Sequence, residues 1–169
     1  MLNRRSFAIT GVSVLAAGAL GQTISYAHNH KNKDNAMNTN IDWENIKKSE
    51  WKIRLSAQEF HVMRNEGTER PFSSDLNGEK REGIFVCAAC GLPLFEATTK
   101  YESGTGWPSF FKPIAGNVET RRDFKMLIPR TEYHCKRCGS HQGHVFKDGP
   151  KPTGLRYCNN GIALDFEPS

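Results

Sequence analysis

The chain has 169 residues, 37% hydrophobic and 24% charged, with a formal net charge of +5 at pH 7. That length supports one domain with a substantial core but not two, and the composition excludes coiled-coil, collagen-like and repeat architectures. Beyond Arg4 and Arg5 there are 21 basic and 18 acidic residues without a dense Lys/Arg block, so no nucleic-acid partner is expected.

Residues 1–27 read as an export signal. Two arginines precede an apolar run from Ile9 to Gly21, and Ser25 and Ala27 flank Tyr26 ahead of a cleavage point after Ala27. The run is roughly 13 residues, short of the 20 or so that span a bilayer. Arg4-Arg5-Ser6-Phe7 resembles a twin-arginine signal, an address read by a receptor rather than an anchor. The expected mature protein is therefore periplasmic and not membrane-embedded. That resemblance implies transport of an already folded chain, so thiolates could take up metal while still in a reducing compartment. Residues 28–40, HNHKNKDNAMNTN, are polar and aperiodic, which predicts a disordered linker with His28 and His30 solvated.

The domain spans residues 41–169. Asp42 is placed to cap a short helix in WENIKKSEW, with Trp43 and Ile46 on one side. Ser56 and Glu59 form a capping box for a second helix that turns Phe60 and Met63 inward, leaves His61 at the surface and stops at Gly67. Then come strand-length runs rich in branched and aromatic residues: GIFVC, FKMLIP, EYHC, HVF, GLRYC and IALDF. The fold class expected is mainly β with an α+β start, in two small antiparallel sheets.

Four of the five cysteines form two pairs, Cys87-x2-Cys90 and Cys135-x2-Cys138, each followed by glycine. Such knuckles can direct four thiolates at one tetrahedral metal, with the glycines suiting the tight turn. Disulfides, or a redox Cys-x-x-Cys, are the alternatives. The redox form needs a helix opening after a strand, and Pro93 interrupts that at once. A site filled by four protein ligands has no open position, so structural zinc is expected.

Cys158 stands alone. A free cysteine in a strand is most often a small buried hydrophobe. Here Arg156 shares its strand face, and His141, His144 and Asp148 lie just upstream, which together are the parts for thiolate attack with protonation of a leaving oxygen. In ESGTGWPSFF, Trp107 follows glycine turns and could present an indole face to a small apolar group; the bland alternative is a core Trp with Phe110 and Phe111 behind it.

The ordered series CAACG, SGTGWPSF, CKRCGSHQGHVF and GLRYCNNGIAL resembles the type B methionine sulfoxide reductases, over essentially all of residues 41–169. The resemblance implies a zinc-containing fold of two antiparallel sheets. It implies Cys158 as nucleophile surrounded by His141, His144, Asp148, Arg156 and Asn160, and Trp107 as the wall that receives the substrate methyl group. Methionine-R-sulfoxide, peptide-bound or free, would be the substrate, in protein repair under oxidative stress. The expected product on the protein is a Cys158 sulfenic acid. His144 is favoured as proton donor with His141 in support. Many relatives carry a resolving cysteine where this chain has Thr105, so an external thiol, thioredoxin-like or other, is the expected reductant of a monomeric one-cysteine enzyme. A zinc-knuckle binding module and a metal-storage protein are the other classes open to this sequence.

Overall fold

A computed structural model describes residues 41–125 and 129–169. The predicted export signal and linker fall outside the described residues, as does Met126–Ile128 of the predicted FKMLIP strand. Among the described residues no helix is long and apolar enough to cross a membrane.

Among the described residues two helices lead into nine strands: α1 (Lys48–Arg54), α2 (Ala57–Asn65), β1 (Gly83–Cys87), β2 (Pro93–Glu96), β3 (Lys100–Tyr101), β4 (Ser109–Phe110), β5 (Val118–Asp123), β6 (Arg130–Cys135), β7 (His141–Phe146), β8 (Arg156–Asn159) and β9 (Leu164–Pro168). They form a three-stranded sheet, order β2-β1-β9, and a six-stranded sheet, order β3-β4-β8-β7-β6-β5. Every pairing is antiparallel. The expectation of two antiparallel sheets is borne out.

The first helix begins later than its sequence indicates. The Asp42 carboxylate is spent on the Asn45 side chain at 2.8 Å, which closes an isolated turn, and α1 starts at Lys48 with no side-chain cap. Trp43 still reaches the core by stacking on Trp51 at 6.1 Å between ring centroids. The Ser56–Glu59 capping box is present at the head of α2. That helix ends one residue before the expected stop at Gly67, on Glu66, which takes the left-handed conformation. Gly67 leaves room for the His61 ring, to which a Cβ there would lie 2.4 Å unless the exposed imidazole turned aside.

The two sheets meet over an aromatic core. Phe85 of β1, Phe95 of β2, Phe110 of β4 and Tyr133 of β6 are fully buried. Phe95 stacks on Phe110 at 4.1 Å, and Tyr133 meets Tyr157 edge-on at 5.3 Å. Because side chains alternate along a strand, Phe110, Tyr133 and Tyr157 commit one face of the six-stranded sheet to this core. The other face is left for chemistry.

Candidate active site

That other face carries one row across all six strands. Arg121 pairs in register with Glu132, Glu132 with His144, His144 with Cys158, Cys158 with Ser109 and Ser109 with Tyr101. Directly opposed residues in an antiparallel sheet point the same way. The sheet therefore brings Cys158 beside His144 on one flank and Ser109 on the other. One step along, Arg156 pairs with Phe146, and its guanidinium lies 4.3 Å from that ring's centroid.

Cys158 is unpaired and half-buried. Burial pushes its thiol up, against a downward pull from the Arg156 charge and from hydrogen bonds with Thr105 and Arg156. Burial likewise pushes His144 down, against an upward pull from Asp123. Both effects favour the uncharged forms, so the resting pair is a thiol beside a neutral imidazole.

Each histidine is held by its own carboxylate. His144 Nε2 lies 2.8 Å from Asp123 Oδ2, and His141 Nδ1 lies 2.7 Å from Glu132 Oε1. Asp123 is held well below the ordinary carboxylate range by the Lys125 backbone N–H and by His144. Burial alone would raise Glu132, but bonds from His134 and His141 hold it at about 2. Ionised carboxylates only accept. The proton of neutral His144 therefore sits on Nε2, and His141 donates from Nδ1 to Glu132. His141 Nε2 is buried and meets no partner among the described residues.

The remaining residues named from sequence separate into two groups. Asp148 bonds Arg156 at 2.9 and 2.8 Å, so its partner is the guanidinium rather than either imidazole. Asn160 is fastened into the backbone: its Nδ2 donates to Gln142 O at 2.9 Å and its Oδ1 accepts from Glu69 N–H at 3.1 Å. Trp107 is half-buried, with Nε1 donating to Glu69 O at 3.2 Å. Phe110 is core, as the bland reading of that motif has it. Glu69 also accepts from Gly161 and Ile162 N–H at 2.5 and 3.0 Å, so one residue ties the Trp107 indole to the chain just beyond Cys158. Asp123, Glu132 and Glu69 escaped sequence reading: strand register brings in the first two, and Glu69 comes from the loop after α2.

The four remaining cysteines converge at the other end of the domain. Their sulfurs lie within 4.8 Å of one another, with Cys87–Cys138 at 3.8 Å and Cys90–Cys135 at 3.5 Å. All four are free in this structure, with no disulfide between them. A tetrahedral zinc with bonds of about 2.3 Å needs sulfurs about 3.8 Å apart, so this cluster could hold a metal. Gly91 and Gly139 turn each knuckle in the left-handed region, and their N–H groups bond Cys87 O and Cys135 O, both at 2.8 Å.

The SelR domain family model matches residues 55–168. The chain belongs to the SelR family. Among SelR relatives, a protein of Methanosarcina mazei named peptide methionine sulfoxide reductase MsrB is 53% identical over 124 residues, covering 72% of this chain and 89% of its own. One of the same name from Alteromonas mediterranea is 50% identical over 125 residues, covering 73% and 88%. The chloroplastic peptide methionine sulfoxide reductase B1 of Arabidopsis thaliana is 44% identical over 124 residues, covering 73% and 61%.

Proposed function

We propose that the protein reduces methionine-R-sulfoxide to methionine with Cys158 as nucleophile. The carrying observation is the register pair His144–Cys158: a free, half-buried thiol opposite an imidazole whose tautomer a carboxylate fixes. When the sulfoxide enters, the thiol proton passes to His144 Nδ1, and the thiolate attacks the electrophilic sulfur. His144 returns the proton to the sulfoxide oxygen. The attack forms a bond between Cys158 Sγ and the substrate sulfur, the protonated oxygen departs as hydroxide when the substrate S–O bond breaks, and hydroxide then adds to Cys158 Sγ as the S–S bond breaks and methionine leaves. Thiol plus sulfoxide thus yields sulfenic acid plus methionine, in atomic balance. His141 supports this with a free Nε2 suited to hold a water on the oxygen. Arg156, held by Asp148, supplies positive charge to the thiolate, Asn160 positions the chain beyond Cys158, and Trp107 receives the methyl group.

With Thr105 in place of a resolving cysteine and the other sulfurs gathered at the knuckles, an external thiol reduces the sulfenic acid. Cys87, Cys90, Cys135 and Cys138 hold zinc, which when bound supplies a structural cross-link and no open coordination position. The N-terminal signal sends the folded monomer to the periplasm, where it repairs oxidised proteins.

The test uses separated R and S sulfoxides of a blocked methionine with excess dithiol, and methionine is followed by chromatography. The wild type is expected to reduce the R epimer alone, and Cys158→Ser to abolish turnover. A Cys158→Ser protein that still turns over would remove Cys158 from the chemistry.

A further inference from the structure

The loop after α2 is fastened to the chain around the active site. Glu69 accepts from Trp107 Nε1–H through its carbonyl oxygen, and from Gly161 and Ile162 N–H through its carboxylate. Three residues on, Phe72 N–H donates to Gly106 O at 2.7 Å, and Asn77 Nδ2 donates to the same oxygen at 3.1 Å. Residues 69–72 therefore run beside Gly106 and Trp107, with a hydrogen bond to each.

Between these anchors the chain reverses at Arg70-Pro71-Phe72-Ser73. The Ser73 N–H and hydroxyl both donate to Arg70 O, at 3.4 and 2.6 Å. Proline second and a left-handed residue third is the pattern of a type II turn, whose third position favours glycine or asparagine because a Cβ is crowded there. That position holds Phe72, at a φ of 61°. Burial does not offset the strain, since Phe72 is 74% exposed. The ring leans on one neighbour, Gly106, where a Cβ would lie 2.9 Å from Phe72 Cδ2 and Cε2. Neither turn geometry nor core packing accounts for a phenylalanine here, and strain of this kind is retained where a side chain is needed for a ligand.

We infer that Phe72 is a specificity-determining residue, whose exposed ring takes an apolar side chain flanking the oxidised methionine of a peptide substrate. The inference rests on the reading of Cys158 as nucleophile and of Trp107 as the wall for the methyl group. The occupant follows from the continuity of the two surfaces. Phe72 packs on the residue just before Trp107, so a methionine seated on the indole brings its chain neighbours toward the Phe72 ring. A free amino acid has no residue to place there. A polar neighbour gains nothing from the ring and gives up water to reach it, whereas an apolar one gains by burial.

Strain and binding should separate on substitution. The experiment uses the full-length, zinc-supplemented chain with excess dithiol and two pentapeptides that carry methionine-R-sulfoxide at the centre, flanked by leucines in one and by serines in the other. The wild type is expected to prefer the leucine peptide by about tenfold in kcat/KM, carried by KM, as partial burial of a leucine side chain allows. In Phe72→Asn and Phe72→Gly, both suited to the turn, the preference should fall below about twofold while the melting temperature holds or rises. Phe72→Tyr keeps the ring and should keep the preference to within about twofold of wild type. A ring that only covers Gly106 would behave differently: the Asn and Gly variants would melt lower and act on both peptides equally less well, with the preference intact. That result, or a wild type that does not distinguish the peptides, overturns the inference. Where the Asn and Gly variants disagree, Asn decides, because glycine also loosens the turn. Turnover that survives in Cys158→Ser overturns the nucleophile assignment alone, since the peptide preference is read without reference to which residue attacks.

Discussion

The decisive residue-scale feature is the bond between His144 Nε2 and Asp123 Oδ2, because it fixes which ring nitrogen is free to take the Cys158 proton. Asp123→Ala removes the Oδ2 that accepts from both His144 Nε2–H and the Arg130 guanidinium, the latter at 2.7 Å. The imidazole is then no longer held with its proton on Nε2, and the tautomer with its proton on Nδ1, the wrong nitrogen for accepting from the thiol, becomes populated. Turnover is expected to fall by between about 10- and 100-fold, with KM changed little, since substrate contacts are untouched. The pH profile gives the sign. Burial already lowers His144, and Asp123 opposes that shift. Removing the anion lowers the imidazole further, so protonated His144 accumulates only at more acid pH, and the acid limb of kcat should move down. An acid limb that stays in place, or moves up, in a rate–pH series would separate Asp123 from this role.

Among elements, the β7–β8 pair carries the site, and one glycine lets those strands approach. A Cβ on Gly143 would lie 1.9 Å from the Cys158 carbonyl oxygen. Gly143→Ala must therefore push β8 away or break the pairing, at a cost of about 3 kcal/mol in urea-unfolding free energy. Because the displaced carbonyl belongs to Cys158 itself, activity should fall more than the folded fraction does. A variant with wild-type stability and full activity would show that the strands can part without loss. Much of this architecture was legible beforehand: GIFVC, EYHC and HVF lie in strands, as do the last three residues of GLRYC, since half-buried strands need branched and aromatic side chains. What escaped had no such signature. Strand β5, VETRRD, is a charged edge strand that is mostly exposed, as edges that avoid aggregation are. β3 and β4 are two residues each, too short for any period to register. Cys158, His144 and Arg156 were visible as chemistry within one short segment, whereas Asp123 and Glu132 acquire their roles only through the pairing of β5 with β6 and of β6 with β7.

Across the whole molecule the two ends of the domain are linked. Cys87 and Cys90 sit where β1 turns into β2 in the smaller sheet, and Cys135 and Cys138 where β6 turns toward β7 in the larger one. A metal held by all four would pin the two sheets together, with the Arg64 guanidinium bonding Cys138 O at 2.9 Å and Arg137 bonding Cys90 O at 3.0 Å. Gln142 extends this link to the active site. Its Nε2 donates to Cys87 Sγ at 3.5 Å, its Oε1 accepts from Asn159 Nδ2 at 3.3 Å, and its backbone oxygen accepts from Asn160 Nδ2 at 2.9 Å. Tyr133 closes the network on Asn159 Oδ1 at 2.5 Å. Loss of the metal should therefore act twice, on stability and on the backbone that follows Cys158. Binding to the folded thiolate cluster is folding free energy, and each kcal/mol lost shifts the melting temperature of a domain this size by about 3–6 °C. Stripping the metal with a strong chelator under mild denaturant is expected to lower the melting temperature by at least about 10 °C and to abolish turnover, both recovered on adding zinc to reduced protein. Cys158→Ser, which leaves the knuckles intact, should melt within about 2 °C of wild type. If the stripped protein keeps its melting temperature, the four cysteines are packed thiols and the cross-link between the sheets is the aromatic core alone.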